Sequence, residues 1–266
     1  MSLVNNSKSD FDPSALSFSQ VTVNYDKTPV LWDVSCEIPA GKLLGIIGPN
    51  GAGKTTFLKV ALGLIESVSG KIEFFAEPLK KVQQRIAYVP QKESVDWDFP
   101  INVFDLVLMG RYGKLGLFRR ARKADLEAVE KYLDLLGILS YADRQISQLS
   151  GGQQQRAFLA RALMQEADIY FMDEPFAGID ISTEKTIVKI LKDLQKQGKT
   201  IFVVHHDLNT VENYFDWLMI LNMHLLAVGP IEEVFTPENI NQAFGKSHAL
   251  FGEAARLAQD KTLGLL

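Results

Sequence analysis

Cysteine is all but missing. Cys36 stands alone in 266 residues, so no disulfide can form within the chain and a reducing compartment suits it. Long apolar runs are missing too. The nearest approach, WLMILNMHLLAVG at 217–229, is interrupted by Asn222 and His224 and reads as two strands rather than a membrane span. Excess positive charge is missing: 28 Lys and Arg stand against 32 Asp and Glu, for a net charge of −4. No global field draws nucleic acid, and no nucleic-acid partner is expected. The polar start, MSLVNNSKSDFDPS, lacks the apolar stretch of a signal peptide. Histidines, cysteines and carboxylates are not clustered in metal-ligand fashion beyond the phosphate site described below.

The remaining composition, 47% hydrophobic and 23% charged, is that of an ordinary globular protein, and the length gives one large domain or two small ones. Residues 1–16 read as a flexible arm, 17–250 as the folded domain and 251–266 as a tail. FSQVTVNY and VLWDVSCEI alternate as half-buried strands, with Val30, Trp32, Val34, Cys36 and Ile38 expected on one face. KLLGIIG reads as a buried strand, and a helix is expected from Lys54 to Leu64. Strands follow at KIEFFA and RIAYVP. Residues 92–149 turn helical, with Leu126, Val129, Leu133 and Leu136 on one stripe, and read as an insertion. Strand IYFM, helix TEKTIVKILKDLQKQ, strand TIFVV, a short helix and two last strands complete an alternation that implies a helix-covered, mainly parallel sheet.

GPNGAGKTT, formed by Gly48, Pro49, Asn50, Gly51, Ala52, Gly53, Lys54, Thr55 and Thr56, matches G-x-x-x-x-G-K-[ST] between a buried strand and a helix. Its glycines let backbone N–H groups converge on a phosphate at a positive helix end. Lys54 suits the β- and γ-phosphates, and the Thr55 hydroxyl suits Mg²⁺. G-x-G-x-x-G is absent at this turn, which disfavours a dinucleotide fold. IYFMDEP ends a strand in Asp173 and Glu174, aimed to opposite sides, one for the Mg²⁺ shell and one for a water. TIFVVHHD ends in His205 and His206, and alternation leaves open which faces the site. Asp207 is placed to cap the next helix. Gln91 closes RIAYVP, and Tyr25 closes an early strand where it packs or stacks on a base.

Ser150-Gly151-Gly152-Gln153 fits a capping box. Capping accounts for the serine and glutamine but not for two glycines, which cost roughly 1 kcal/mol each in a helix. Bare glycines at a helix tip allow an anion to approach the N–H groups, and so suggest a second phosphate cradle.

Together with the phosphate loop, Gln91, MDEP and HHD, the run LSGGQ resembles the signature of the ATP-binding subunits of ABC transporters over about Ser17 to Gly245. The resemblance implies a P-loop NTPase core of α/β class, with a mainly parallel sheet, an antiparallel β subdomain and an inserted helical subdomain. It implies ATP and Mg²⁺ as ligands, adenine stacking for Tyr25, and a second copy arranged head to tail, its ATP faced by Ser150, Gly151, Gly152 and Gln153. Asp173 would hold Mg²⁺, Glu174 would be the general base, and Gln91 would reach Mg²⁺ or water and sense an integral membrane permease. Asp180, in AGID where many relatives have SALD, would touch the other copy. His206 would contact the γ-phosphate, which the residues alone leave open. DEPFAGID, VVHHDL and ISQLSGGQ look most like ATPases of manganese/zinc/iron chelate-type importers, manganese foremost. That implies a peripheral place on the cytoplasmic face of the membrane and an indirect link to a solute-binding protein. The alternatives are the ATPase of a zinc or iron importer, an exporter subunit, a non-transport ABC protein and a P-loop kinase. The last leaves LSGGQ unexplained. DWDFPINVFDLVLMG is expected to contribute to a groove for a permease helix, with Val103, Leu106 and Val107 packed in the core. RRARK (119–123) reads as a solvated face.

Overall fold

The structure, a computed structural model, describes residues 14–25, 28–116 and 120–245. The strands are β1 (Ser14–Tyr25), β2 (Thr28–Pro39), β3 (Leu43–Ile47), β4 (Ser69–Glu73), β5 (Ile86–Val89), β6 (Ile169–Asp173), β7 (Thr200–Val204), β8 (Trp217–Asn222) and β9 (His224–Pro230). The α-helices are α1 (Lys54–Ala61), α2 (Leu79–Val82), α3 (Val103–Leu108), α4 (Tyr112–Leu115), α5 (Lys123–Leu135), α6 (Gly151–Met164), α7 (Ile181–Lys196), α8 (Val211–Tyr214), α9 (Ile231–Val234) and α10 (Pro237–Phe244).

Two sheets carry the fold. A six-stranded sheet runs β5-β6-β7-β3-β8-β9, parallel except for the β8–β9 hairpin, and an antiparallel sheet runs β2-β1-β4. The parallel strands are buried on both faces. Leu44 and Ile46 of β3 join Phe171, Phe202 and Met219 in a core closed by α1 and the antiparallel sheet. Leu43 and Ile47 face the other way, into a core shared with α6 and α7. Aromatic stacking locks the first of these, with Phe18 on Phe57 at 4.4 Å and Phe171 on Phe202 at 4.7 Å. Chain 90–168 leaves the sheet after β5 and returns at β6, carrying α3, α5 and α6, which pack on one another. This is the expected mainly parallel core with an antiparallel part and a helical insertion. Val103, Leu106 and Val107 lie in the core as expected.

Four local expectations are corrected. β1 begins at Ser14, and Ala15 and Leu16 are fully buried in it, so the arm does not extend to residue 16. Residues 1–13, Arg119 and 246–266, with the tail, lie outside the described residues. The expected face of β2 breaks at Trp32, which is 52% exposed, while Leu31 is buried instead. A bulge between Leu31 and Val34 switches the alternation: Asp33 has φ +47 and its N–H donates to the Thr22 hydroxyl. On α5, Leu126 is 39% exposed and Asp125 takes the inward position ahead of Val129 and Leu133. Its carboxylate accepts the Arg122 N–H and pairs with Arg111 at 2.9 Å, which is what permits a buried charge. Asp207 does not cap α8, whose N-cap is Thr210. Its Oδ1 instead accepts from Asn209 N and Nδ2, closing a turn.

Candidate functional site

Register brings the expected residues to one edge. Asp173 of β6 and Ile46 of β3 both pair with Val204 of β7, and Val89 of β5 pairs with Met172. The residues just beyond this rung are Gly48, Gln91, Glu174, His205 and His206, at the carboxyl ends of parallel strands, where such sheets bind ligands. This edge collects them from four strand ends.

The loop after β3 is held from behind. Its Ala52 N–H donates to Pro49 O, and Ala52 O accepts from Met223 N at 3.0 Å, in the turn between β8 and β9. Met223 O in turn accepts from Trp32 N at 2.8 Å, so both sheets support the loop. Met223 has φ +58, and the sequence signals its role only by the break in the apolar run. Two glycines are sterically required: a Cβ on Gly48 would run into the Leu221 carbonyl, and one on Gly53, at φ +91, would lie 2.8 Å from Val30 O. Gly51 faces open space. The Lys54 ammonium is buried and donates to Gly48 O at 2.8 Å and Pro49 O at 2.9 Å. Burial pulls its pKa down, against the charges of Glu174 and Asp173, which raise it. Among the described residues Lys54 is hydrogen-bonded by carbonyls alone, which it can exchange for phosphoryl oxygens.

Asp173 is fully buried; its Oδ1 accepts from the Thr55 hydroxyl at 3.1 Å, while its Oδ2 is buried with no partner among the described residues. Desolvation pushes its pKa up to about 6, helped by the Glu174 charge and opposed by the Thr55 hydroxyl. An orphaned carboxylate oxygen beside a hydroxyl is the donor set of a hard divalent cation, so Mg²⁺ fits Thr55 and Asp173. Glu174 turns out of the strand at φ +52, partly exposed. That left-handed conformation costs a non-glycine residue about 1–2 kcal/mol and takes Glu174 out of the extended backbone of the strand. The Gln91 side chain is half-buried and makes no hydrogen bond among the described residues, while its carbonyl anchors Ser94. Tyr25 is exposed at the end of β1.

The two histidines separate cleanly: His206 is exposed and His205 is 2% exposed. Burial, then the neighbouring His206 charge, lowers the His205 pKa from 6.5 to about 4, against Asp207, which raises it. Between those values the unfolded chain takes up a proton that the folded protein refuses. Stability is therefore undiminished above the unfolded value and is lost as pH falls, by up to roughly 3 kcal/mol. Denaturant midpoints should show the wild type losing about that much relative to His205→Phe between pH 7 and pH 4. A pH-independent difference would refute the assignment.

The capping box forms as expected. Ser150 Oγ accepts from Gln153 N and Gln153 Oε1 accepts from Ser150 N at 2.8 Å, at the start of α6. The glycines have neighbours within the chain. The Lys92 amine occupies the space a Cβ on Gly151 would take, and a Cβ on Gly152 would lie 3.2 Å from Gly178 O. Lys92 is a residue the sequence reading passed over. No hydrogen bond joins Ser150–Gln153 to Gly48–Thr56 among the described residues. Asp180 caps α7, accepting from Thr183 N at 3.0 Å and Thr183 Oγ1 at 2.6 Å.

Residues 31–177 match the family model described as ABC transporter. The chain is 56% identical over 230 residues to the manganese transport system ATP-binding protein MntB of Bacillus subtilis (strain 168), covering 86% of this chain and 92% of that one. It is 51% identical over 231 residues to the zinc transport system ATP-binding protein TroB of Treponema pallidum (strain Nichols), covering 87% of each. Among solved structures it is similar to a metal-chelate type ABC transporter in an inward-facing conformation, with a TM-score of 0.74 at 29% identity over 87% of this chain and 89% of that one.

Proposed function

The chain belongs to the ABC transporter family of ATP-binding subunits, and on that footing we propose that it hydrolyses ATP to drive import of a divalent metal, manganese foremost. The observation that carries the chemistry is the single edge joining a carbonyl-held Lys54, the orphaned Oδ2 of Asp173 and the outward-turned Glu174. Lys54 leaves its carbonyls for the β- and γ-phosphoryl oxygens, beside the N–H groups of Gly48–Thr56. Thr55 and Asp173 would hold Mg²⁺, and Gln91 would reach it directly or through water. When bound, Mg²⁺ neutralises charge on the phosphoryl oxygens. Glu174 accepts a proton as the attacking water bonds to the γ-phosphorus and the bond to the β–γ bridging oxygen breaks. His206 donates to the γ-phosphate, and Tyr25 stacks on adenine.

Two copies pair head to tail, so that Ser150, Gly151, Gly152 and Gln153 of one close on the ATP of the other, and Asp180 lies near the junction. No helix among the described residues is long and apolar enough to cross a membrane; the transport path belongs to an integral membrane permease, fed by a solute-binding protein, with this subunit on the cytoplasmic face. A cavity of about 160 Å³ lined by Val95, Trp97, Ile101, Phe158 and Arg161 is the size of one large side chain and suits one projecting from a permease helix. Phe99 and Met109 beside it are exposed, and Arg161 has no carboxylate within 4 Å among the described residues, so an acidic side chain of the permease fits there.

The manganese reading is supported by the 56% identity to a manganese-system subunit, and zinc is the second reading, favoured by the 51% identity to a zinc-system subunit. Deleting the gene is expected to lower manganese uptake several-fold. A wild-type copy restores it, and a Lys54→Ala copy does not. Normal manganese uptake with lost zinc uptake would transfer the assignment to zinc.

A further inference from the structure

His205 has no part in the chemistry above, yet it lies among segments next to Glu174, His206 and the strand that leads into the phosphate loop. Its ring meets Phe176 at 5.6 Å, two residues beyond Glu174. It meets Phe215 at 5.4 Å, and Phe215 covers Gly45 of β3 so closely that a Cβ there would lie 2.7 Å from the ring. β3 leads into the phosphate loop. On the third side, Nε2 lies 2.7 Å from Thr210 Oγ1, at the far end of the 207–210 turn that follows His206. Thr210 Oγ1 also bonds to Asp207 O at 3.1 Å, so imidazole, hydroxyl and the carbonyl inside the turn form one hydrogen-bonded chain, its direction set by the tautomer of the ring.

A phenylalanine or leucine would fill the same apolar cage. What the imidazole adds is a hydrogen-bonding nitrogen, and burial keeps the ring neutral. We propose that His205 is a positioning residue for hydrolysis: by hydrogen-bonding to Thr210 it fixes the turn that follows His206, and by packing on Phe176 it fixes the turn that presents Glu174, so that base and phosphate-facing histidine keep one spacing. The proposal rests on the roles given above to Glu174 and His206. A single net hydrogen bond contributes little to stability, whereas a displacement of about 1 Å at a reacting site costs up to about 100-fold in rate. Loss of the bond should therefore appear in turnover far more than in folding.

The test uses the full-length protein and steady-state ATP hydrolysis, with ATP binding measured separately. His205→Phe keeps the packing and removes the hydrogen-bonding nitrogen; kcat should fall about 10-fold with the Kd for ATP within about two-fold. His205→Gln, whose side-chain amide can donate or accept from a similar reach, should restore kcat to within about three-fold of wild type. Thr210→Val removes the hydroxyl and should match His205→Phe, and the double variant should be no worse than either, because one interaction is lost in all three. A His205→Phe enzyme with wild-type kcat would overturn the proposal, as would equal losses in His205→Phe and His205→Gln, or additive losses in the double variant. Thr210→Val carries the test if His205→Phe does not fold. Glu174→Gln in the same assay separates the two readings: if it turns over like wild type, the catalytic assignment fails; if it is inactive while His205→Phe is unimpaired, only the positioning role fails.

Discussion

Glu174→Gln is expected to bind ATP and all but cease to hydrolyse it, with turnover reduced roughly 10²- to 10⁴-fold, the usual contribution of a general base. The substitution keeps size and hydrogen-bonding capacity and removes only basicity. Position 174 stays at the same left-handed backbone, φ +52, because glutamine meets the same steric cost there as glutamate. The electrostatic change works in favour of binding. Glu174 raises the pKa of Asp173, and it faces the buried Lys54. Its removal takes a negative charge away from where the phosphates of ATP must sit. ATP should therefore be held at least as tightly, and the ATP-bound dimer should accumulate because it no longer resolves. Size-exclusion chromatography with and without ATP reads the dimer, and phosphate release reads turnover. A variant that stays monomeric and hydrolyses ATP at the wild-type rate would remove Glu174 from the mechanism and leave the base unassigned.

What the sequence made legible was whatever local chemistry decides by itself. The five buried residues of β3 follow from an uninterrupted apolar run. The Ser150–Gln153 capping box is written in two residues three apart. The phosphate loop depends on glycines whose requirement is steric and near at hand. The misread positions are those where a distant partner decides. Trp32 faces outward because a hydroxyl on the neighbouring strand, Thr22, holds Asp33 in a bulge; alternation within β2 carries no trace of it. Asp125 displaces Leu126 from the interior because Arg111 lies opposite, a tertiary contact that overrides an apolar stripe. The choice between His205 and His206 was evenly balanced by strand alternation; the cage of Phe176, Tyr214 and Phe215, drawn from two separate segments, separates them. Lys92 escaped notice because nothing near it in sequence points to Gly151, yet its amine lies against that glycine.

That contact sharpens the expected result for the glycines of the signature helix. In Gly151→Asp the new Cβ must push aside the end of the Lys92 side chain, which is flexible and yields at little cost. The added carboxylate then pairs with the amine, so the charge at the helix tip falls by one unit. Anions bind at helix N-termini through the positive end of the dipole, and the change opposes that. The variant's own phosphate loop, anchored to Met223 and Trp32 rather than to α6, should bind ATP as before. Combining the change with Lys54→Ala in mixed dimers, on a Glu174→Gln background that traps bound ATP, separates action within a chain from action across the dimer. With Gly151→Asp in one copy and Lys54→Ala in the other, head-to-tail pairing puts both lesions into one composite site and leaves the second whole, so one ATP per dimer should be trapped. With both changes in the same copy each site carries one lesion, and trapping should approach zero. Sites formed within single chains would give the opposite: none trapped in the first arrangement and one in the second. Differently tagged copies, purified in tandem and assayed for nucleotide content, read the ratio directly. Trapping in the second arrangement but not the first would show that Gly151 and Gly152 serve the ATP of their own chain.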